Sequence, residues 1–374
     1  MKKTKLLVFA LMQMVIGNVV LAQQEWEPQT HITGYLVTEM EWVGLDNLKK
    51  DFGMGLGEAG FLASYKPLEK VEFKGTFVYK PGVLNIHEVI VEAYGMYKMD
   101  KAFNFGAGRF LTPLSPVNLY FYAPLNHSAT TPLLVSHHAF FPQSLSGFQV
   151  NGVLGDVKSF EYNLTFGNYL NVHHRPSGVL NFHGLEESRI IFGDQFDLSG
   201  NVEDAIDFPL GGTFRLAYNH NNWLTMGYNM FLGNSILTTY ENFNIKYVDS
   251  YRKSFGTDIH VSVSDFKFNA EYWFGEASSK EHSPELSEEY EGYYAELIYS
   301  KGKVTPFLKY DYINDIKLDA FRQDLTEKDN ELSAFTMGMS YRPFFELMTK
   351  LEYKRYFHNQ VDFDNVLLSF VFSF

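Results

Sequence analysis

The stretch that decides the fold is DNVLLSFVFSF, residues 364–374. Apolar side chains recur in it at every second position: Leu368, Phe370, Phe372 and Phe374. A period of two predicts a β-strand with one apolar face and one more polar face. Phe374 ends the sequence, so no polar segment covers this strand, which in a water-soluble protein would be an aggregation hazard. We therefore expect the strand to close a barrel and to face lipid.

The N-terminal segment predicts export. Three of the first five residues are lysines, residues 6–21 are apolar apart from two amides, and Val20-Leu21-Ala22 follows as a cleavage sequence. This layout predicts a secretory signal peptide over residues 1–22. The alternative is an uncleaved anchor, but its apolar segment falls short of the roughly 20 residues that a spanning helix needs. We expect residues 23–374 to form one domain.

Composition points to an all-β membrane protein. The chain has no cysteine, which excludes disulfides and thiolate metal sites. Aromatic residues make up 17% of the chain, with 35 Phe and 24 Tyr. No apolar run after residue 22 approaches 18 residues, so no spanning helix is predicted. Because a chain in lipid must pair every backbone donor and acceptor internally, a closed barrel is the remaining solution.

Sixteen segments have the pattern of strands. Within residues 158–169, for example, aromatic and aliphatic side chains alternate with Glu161, Asn163 and Thr165. Most segments are close to the 9–11 residues of a tilted transmembrane strand, and bacterial single-chain barrels have even strand numbers. The predicted strands are 31–43, 54–66, 71–80, 88–98, 102–111, 146–154, 158–169, 209–219, 223–232, 253–263, 266–276, 291–300, 303–314, 331–342, 346–357 and 363–374.

The connections between these strands alternate in length. A soluble β-sandwich would show the same alternation of side chains, but it would not sort its loops. Short periplasmic turns and long external loops are typical of transmembrane antiparallel barrels. The short connections are 67–70, 99–101, 155–157, 220–222, 264–265, 301–302 and 343–345. The mostly longer ones are 44–53, 81–87, 112–145, 170–208, 233–252, 277–290, 315–330 and 358–362.

The third external loop, residues 112–145, carries most of the functional information. It has five prolines and many aromatic residues, and no Lys, Arg, Asp or Glu. Disordered segments are usually charged and poor in aromatics, so this loop is expected to pack against something. We expect it to fold into the lumen as a constriction; the alternatives are a lid over the mouth or an interface with another protein. Its candidate pore-lining residues are Asn118, Tyr120, Tyr122, Asn126, His127, His137 and His138.

The alternation of the strands also assigns side chains to the barrel wall. The candidate pore-lining residues of the wall are Glu39, Glu58, Glu72, Lys74, Glu88, Glu92, Glu161, Arg215, Asp258, Glu271, Lys309 and Glu352. The same rule turns Glu41, Glu296, Asp311, Lys267, Lys350 and Lys354 inward. Twelve acids against six bases predict a negative lumen with a weak cation preference. The alternative is that many of them pair across strands, for instance Glu92 with Lys74, and only stiffen the wall.

Part of the chain resembles a known family. The resemblance rests on GRFLTP at 108–113, PLL at 132–134, Pro142 with SGFQVNG at 146–152, and YNLTFGN at 162–168. These residues are similar to porin-type outer-membrane proteins of Bacteroidetes, which are distantly similar to phosphate-selective porins. Phosphate-type pores are implied to use a ladder of Arg and a Lys cluster; that pattern is not evident here, so phosphate selectivity is not expected. The C-terminal strand ending in Phe374 resembles the assembly signal of outer-membrane barrels.

The function expected from these patterns is an outer-membrane porin for passive diffusion of small hydrophilic solutes. A barrel partner of a secretion or surface-assembly system and a channel specific for apolar or sugar solutes are the alternatives. A hydrolase is less favoured: Ser136 and the histidines of the loops are candidates, but the sequence has no GxSxG, HExxH or Walker motif. His173, His174 and His183 give only weak metal-ligand spacing.

The expected partners follow from the same interpretation. They are outer-membrane lipid, small hydrophilic solutes, the barrel-assembly machinery through the strand ending in Phe374, and, compatible with the strand count, two further copies in a homotrimer. No cofactor, metal site or catalytic residue is expected. The acidic chain, with a formal net charge of −13, gives no basic patch for nucleic acid.

Overall fold

A computed structural model of the chain describes thirteen segments. They are residues 27–45, 51–80, 89–119, 122–136, 140–169, 171–172, 206–207, 209–221, 223–241, 244–279, 287–315, 331–358 and 362–374. The predicted signal peptide, residues 1–22, lies outside them and stays a prediction. Among the described residues, no helix has the length and apolar character needed to cross a membrane.

Strands dominate the described chain. They are β1 Gln29–Leu45, β2 Asp51–Leu68, β3 Val71–Tyr79, β4 Ile90–Lys98, β5 Asn104–Leu111, β6 Ser144–Gly155, β7 Lys158–Tyr169, β8 Asn171–Val172, β9 Ile206–Asp207, β10 Leu210–His220, β11 Leu224–Glu241, β12 Asn244–Val263, β13 Phe266–Ser279, β14 Ser287–Tyr299, β15 Val304–Asp315, β16 Glu331–Phe344, β17 Leu347–His358 and β18 Phe363–Ser373. The described residues between β5 and β6 include two one-turn helices, α1 Pro116–Leu119 and α2 Leu133–Ser136.

Sixteen of these strands form one closed antiparallel barrel, in the order β1-β18-β17-β16-β15-β14-β13-β12-β11-β10-β7-β6-β5-β4-β3-β2. The predicted all-β barrel of sixteen strands is therefore confirmed. β8 and β9 pair with each other in a separate two-stranded sheet, within the connection that the sequence pattern left as a loop at 170–208.

The last strand closes the barrel. β18 pairs with β17 on one side and with β1 on the other, where Met40 lies opposite Leu368. Gly34 and Phe374 exchange two backbone hydrogen bonds of 2.9 Å. The expectation that residues 364–374 close the barrel is confirmed, and closure leaves the barrel without an unpaired edge.

The two faces of β18 differ as its sequence pattern predicts. Phe372 and Phe374 are 47% and 72% exposed on the outside, whereas Ser369 and Val371 are each 1% exposed on the inside. Exposed Leu, Met, Phe, Trp and Tyr side chains continue around the outer face of the other strands. An apolar outer surface and a polar interior are the arrangement of a barrel that lies in lipid.

One predicted connection is a pair of strands instead. Residues 233–252 were expected to form an external loop, but β11 continues to Glu241, and β12 begins at Asn244. The two strands pair along this extension, with Leu237 opposite Val248 and Tyr240 opposite Ile245. The extension is rich in Ile, Thr, Tyr and Val, which favour strands whether or not lipid surrounds them. A prediction that limits each strand to the length needed to cross the membrane therefore places the end of β11 and the start of β12 wrongly.

Placing a charge on the outer face at mid-barrel should destabilise the protein. Leu368 lies between Met40 and Leu351, so Leu368→Arg should lower the free energy of unfolding by about 2–4 kcal/mol, the cost of a cation near the bilayer midplane. Ile32→Arg, on the same face but near the start of β1, should cost about 0–1 kcal/mol. Urea unfolding in lipid vesicles, followed by tryptophan fluorescence, measures both; equal losses would contradict this orientation in lipid.

Candidate functional site

The segment between β5 and β6 is held by charged side chains on the inner face of the barrel. Ser115 donates a hydrogen bond to Glu271 of β13 at 2.8 Å, and His127 lies 2.7 Å from a carboxylate oxygen of Glu296 on β14. Asp311 of β15 accepts from the backbone N–H of Leu133, the first residue of α2, at 3.3 Å. None of these carboxylates was expected to serve the loop.

A fourth carboxylate, Glu352 of β17, accepts more hydrogen bonds from the segment than the other three. Its carboxylate accepts hydrogen bonds from the Ser128 hydroxyl at 2.8 Å, from the Ala129 N–H at 2.9 Å, and from both the N–H and the hydroxyl of Thr130. A carboxylate that accepts several charge-assisted bonds is a strong anchor. It fixes residues 128–130 against the wall.

Two lysines add to this anchor by binding loop carbonyls. Lys309 donates to the Thr130 carbonyl at 3.0 Å, and Lys350 donates to the carbonyls of Ala123 and Ser128 at 2.8 and 2.9 Å. Arg342 donates to the Pro124 carbonyl. The loop has no charged residue that could compete for these cations, because residues 112–145 contain no Asp or Glu.

The same segment also reaches the other side of the barrel. Tyr122 donates to Glu92 of β4 at 2.8 Å, and Lys74 of β3 lies 2.7 Å from that carboxylate. Glu92, on β4, and Glu271, on β13, are nearly opposite in the ring, since six strands separate β4 from β13 in one direction and eight in the other. The segment is therefore tied to inward-facing side chains on two opposing walls.

Apolar residues of the segment are buried in an aromatic cluster. Phe141 packs on Trp273 with ring centroids 4.7 Å apart, and Phe140 meets Tyr290 edge-on at 5.3 Å. Helix α2 also buries Leu133, Leu134 and Val135. This burial agrees with the expectation that the loop packs against another part of the protein. The remaining partners in the cluster include Tyr294, Ile313, Leu332, Tyr356 and Phe363.

An ion pair next to the segment occupies three neighbouring strands. Arg215 of β10 makes two bonds to Asp258 of β12, at 2.5 and 3.0 Å, and Asn229 of β11 bonds both partners. Arg215 also donates to the Leu114 carbonyl at 3.3 Å. Removing either partner of such a buried pair would leave the other charge uncompensated.

The structure places the other predicted wall residues as follows. Glu58 accepts from Tyr35 and lies 3.4 Å from Lys80, and Glu72 pairs with Lys98. Glu39 is half-buried, and Glu161 is exposed. Glu88 lies outside the described residues.

The predicted residues of the loop are less uniform. Tyr122 is buried and His127 is half-buried, each bound to the wall, and Asn126 is half-buried. Asn118 is buried and bonds the Thr112 and Gln143 carbonyls at 2.8 and 3.1 Å, so it joins the two ends of its own loop rather than facing open space. Tyr120, His137 and His138 lie outside the described residues.

Sequence reasoning missed a row of uncharged polar residues. Asn104 of β5, Gln149 and Asn151 of β6, and Asn163 and Thr165 of β7 form a continuous hydrogen-bonded row, named here the amide ladder. A cavity of about 520 Å³ lies beside Asn104, Gln149 and Asn151. The alternation had already placed Asn163 and Thr165 opposite the apolar side chains of their strand, but only charged side chains were assigned to the pore wall.

Comparisons with known proteins support the architecture. No protein-family model and no curated protein matches the chain. OmpT of Vibrio cholerae, described as an outer membrane protein in a trimer form, matches with a TM-score of 0.59 at 11% identity, over 93% of this chain and 100% of that one.

Two further solved structures are similar. The anion-selective porin from Comamonas acidovorans gives a TM-score of 0.58 at 10% identity, over 93% of this chain and 100% of that one. The outer membrane channel DcaP of Acinetobacter baumannii gives 0.56 at 11% identity, over 94% and 99%. At such identities the likeness is one of fold, and the fold is that of Gram-negative outer-membrane β-barrels.

Proposed function

We propose that the protein is a porin of a Gram-negative outer membrane, through which small hydrophilic solutes diffuse passively. The observation that carries this proposal is the contrast between the apolar outer face and an inner face lined by carboxylates, cations and amides. A closed barrel of sixteen strands encloses more space than its own side chains fill, and a polar lining keeps that space hydrated. No catalytic role is part of the proposal.

The sequence patterns and the similar structures support this assignment. The signal peptide predicted over 1–22 and the C-terminal strand ending in Phe374 suit export and barrel assembly in that membrane. The resemblance to Bacteroidetes porin-type proteins supports the same class, and one similar barrel is described as a trimer, which supports a homotrimer here. Purified protein in a planar bilayer should give discrete open steps of current; a silent, folded barrel would overturn the proposal and favour a structural partner in secretion.

We further propose that residues 112–145 narrow the channel. Their bonds to Glu92 on one wall, and to Glu271 and Glu352 on others, support a segment that crosses the lumen. The buried Phe140 and Phe141 favour this arrangement over a solvated external loop.

Deleting most of this segment should widen the channel. Removal of residues 115–142 takes away the obstruction and leaves the sixteen strands, so single-channel conductance in KCl should rise about two- to threefold, in proportion to the open cross-section of a water-filled barrel. Planar-bilayer recording measures the step size. Unchanged conductance in a correctly folded deletion variant would contradict the constriction.

Releasing one anchor should loosen the segment without shortening it. Glu352→Ala removes the acceptor for residues 128–130, where hydrogen bonds to a charged group contribute about 1.5–3 kcal/mol each. We expect more frequent current fluctuations and faster proteolytic cleavage between 112 and 143 in intact vesicles. Glu346→Ala, in an exposed turn, is the matched control and should behave as wild type. Equal cleavage rates in the two variants would argue against anchoring by Glu352.

The inner charges support at most a weak cation preference. Four basic side chains not assigned from the sequence, Lys80, Lys98, Arg252 and Arg342, belong to the same inner face, and the first two lie against Glu58 and Glu72. They reduce the predicted excess of acids. In addition, screening over about 8 Å at physiological salt limits selectivity in a wide pore.

Ion selectivity is directly measurable. Across a tenfold KCl gradient, the reversal potential should have the sign of a cation-preferring pore but remain small compared with that of an ideally selective one, because most inner acids have basic neighbours. A reversal potential of the opposite sign would show anion preference and contradict this part of the proposal.

A further inference from the structure

The amide ladder is a continuous polar track on one wall. Asn104 donates to Asn151 at 3.0 Å, and Asn151 donates to Gln149 at 3.2 Å. Gln149 in turn donates to Asn163 and Thr165, both at 3.2 Å. The ladder thus crosses three adjacent strands without a single charged group.

The ladder borders a cavity whose charges are already engaged. Glu72 pairs with Lys98, and Asp100 accepts from the N–H groups of its own turn at 2.8 Å. Lys101 donates to the Gly155 carbonyl at 2.7 Å and to Asp156 at 2.6 Å. Two acids and two bases line the cavity, so their formal charges cancel. The lining therefore carries no formal net charge that would attract anions or cations.

The amide ladder supplies the cavity with uncharged groups that can hydrogen-bond a solute. Each side-chain amide has two donor hydrogens and an acceptor oxygen, and the bonds within the ladder use only part of that capacity. Tyr94, held by stacking on Phe110 with centroids 4.7 Å apart, and Met96 add an aromatic and an apolar surface. Hydroxyl groups both donate and accept, and the C–H faces of sugar rings pack on aromatic rings.

We infer that this cavity is a binding site for uncharged polyhydroxylated solutes, of the size of a mono- or disaccharide, on their way through the channel. Its volume of about 520 Å³ falls in the range of small-molecule sites. The Asn151 amide and the side-chain oxygen of Gln149, which can accept a second hydrogen bond, pair with solute hydroxyls, and Tyr94 contacts the ring face. The inference rests on the proposed channel function and names its solute class.

The test is the block of ion current by a neutral sugar. Sucrose is added to full-length protein in a planar bilayer, and its half-blocking concentration is compared with that of a polyethylene glycol of the same hydrodynamic radius, which has no comparable set of hydroxyl donors. In wild type, sucrose should block at the lower concentration. Gln149→Met combined with Asn151→Leu keeps side-chain size and should raise the half-blocking concentration of sucrose roughly two- to tenfold per lost hydrogen bond, with the block by polyethylene glycol unchanged.

Controls separate this inference from the channel proposal. Asn219→Leu removes an amide of β10 that bonds Thr225 at 2.7 Å and does not line the cavity, so it should leave sucrose block at the wild-type value. Asn151→Leu alone serves if the double variant does not fold. A conducting wild-type channel that sucrose and polyethylene glycol block equally, or variants that keep wild-type sucrose block, would overturn the sugar site only. A wild type without current would overturn the porin proposal itself.

Discussion

The pairing of β18 with β1 is the interaction on which the rest of the structure depends. Lipid offers no hydrogen bonds, so every backbone group within it must be paired inside the chain, and only closure satisfies the two terminal strands. The antiparallel register that places Met40 opposite Leu368 also fixes which side chains face inward, because a slip of one residue would exchange the two faces. The polar interior is thus a consequence of how the ring closes.

Inside the barrel, many charged side chains of the wall bind the segment between β5 and β6 instead of facing open space. Glu352, Glu271 and Glu92 each accept a hydrogen bond from the segment between β5 and β6, and Lys350 binds two of its carbonyls. The segment lacks charged residues of its own, so its hydroxyls and backbone groups are suited to these anchors. The charged anchors thus lie on the strands, and the uncharged groups that bind them lie on the loop.

The sequence predicted the strands of the barrel better than it predicted the contacts inside the barrel. Alternation along each strand identified the sixteen strands and the strand that closes the barrel, because a period of two can be recognised without knowledge of the partner strands. It could not show that Asn118 turns toward its own loop, or that Glu352 binds residues 128–130, because these contacts join positions far apart in the chain. The amide ladder was missed for a different reason: each amide is unremarkable alone, and only the register of β5, β6 and β7 aligns them.

The inner face of the barrel is used unequally, and this bears on the path that a solute would take through the proposed channel. The walls from β13 to β17 are occupied by loop anchors and by the aromatic cluster around Trp273, so little of their polarity remains for a solute. On β5 to β7, the side chains of the ladder bond mainly one another and border the cavity. A solute that moves along this second wall exchanges water for amides without having to separate an ion pair. In the proposed channel, the loop would narrow the lumen beside β13 to β17 and would leave the amide ladder on β5 to β7 open to solutes.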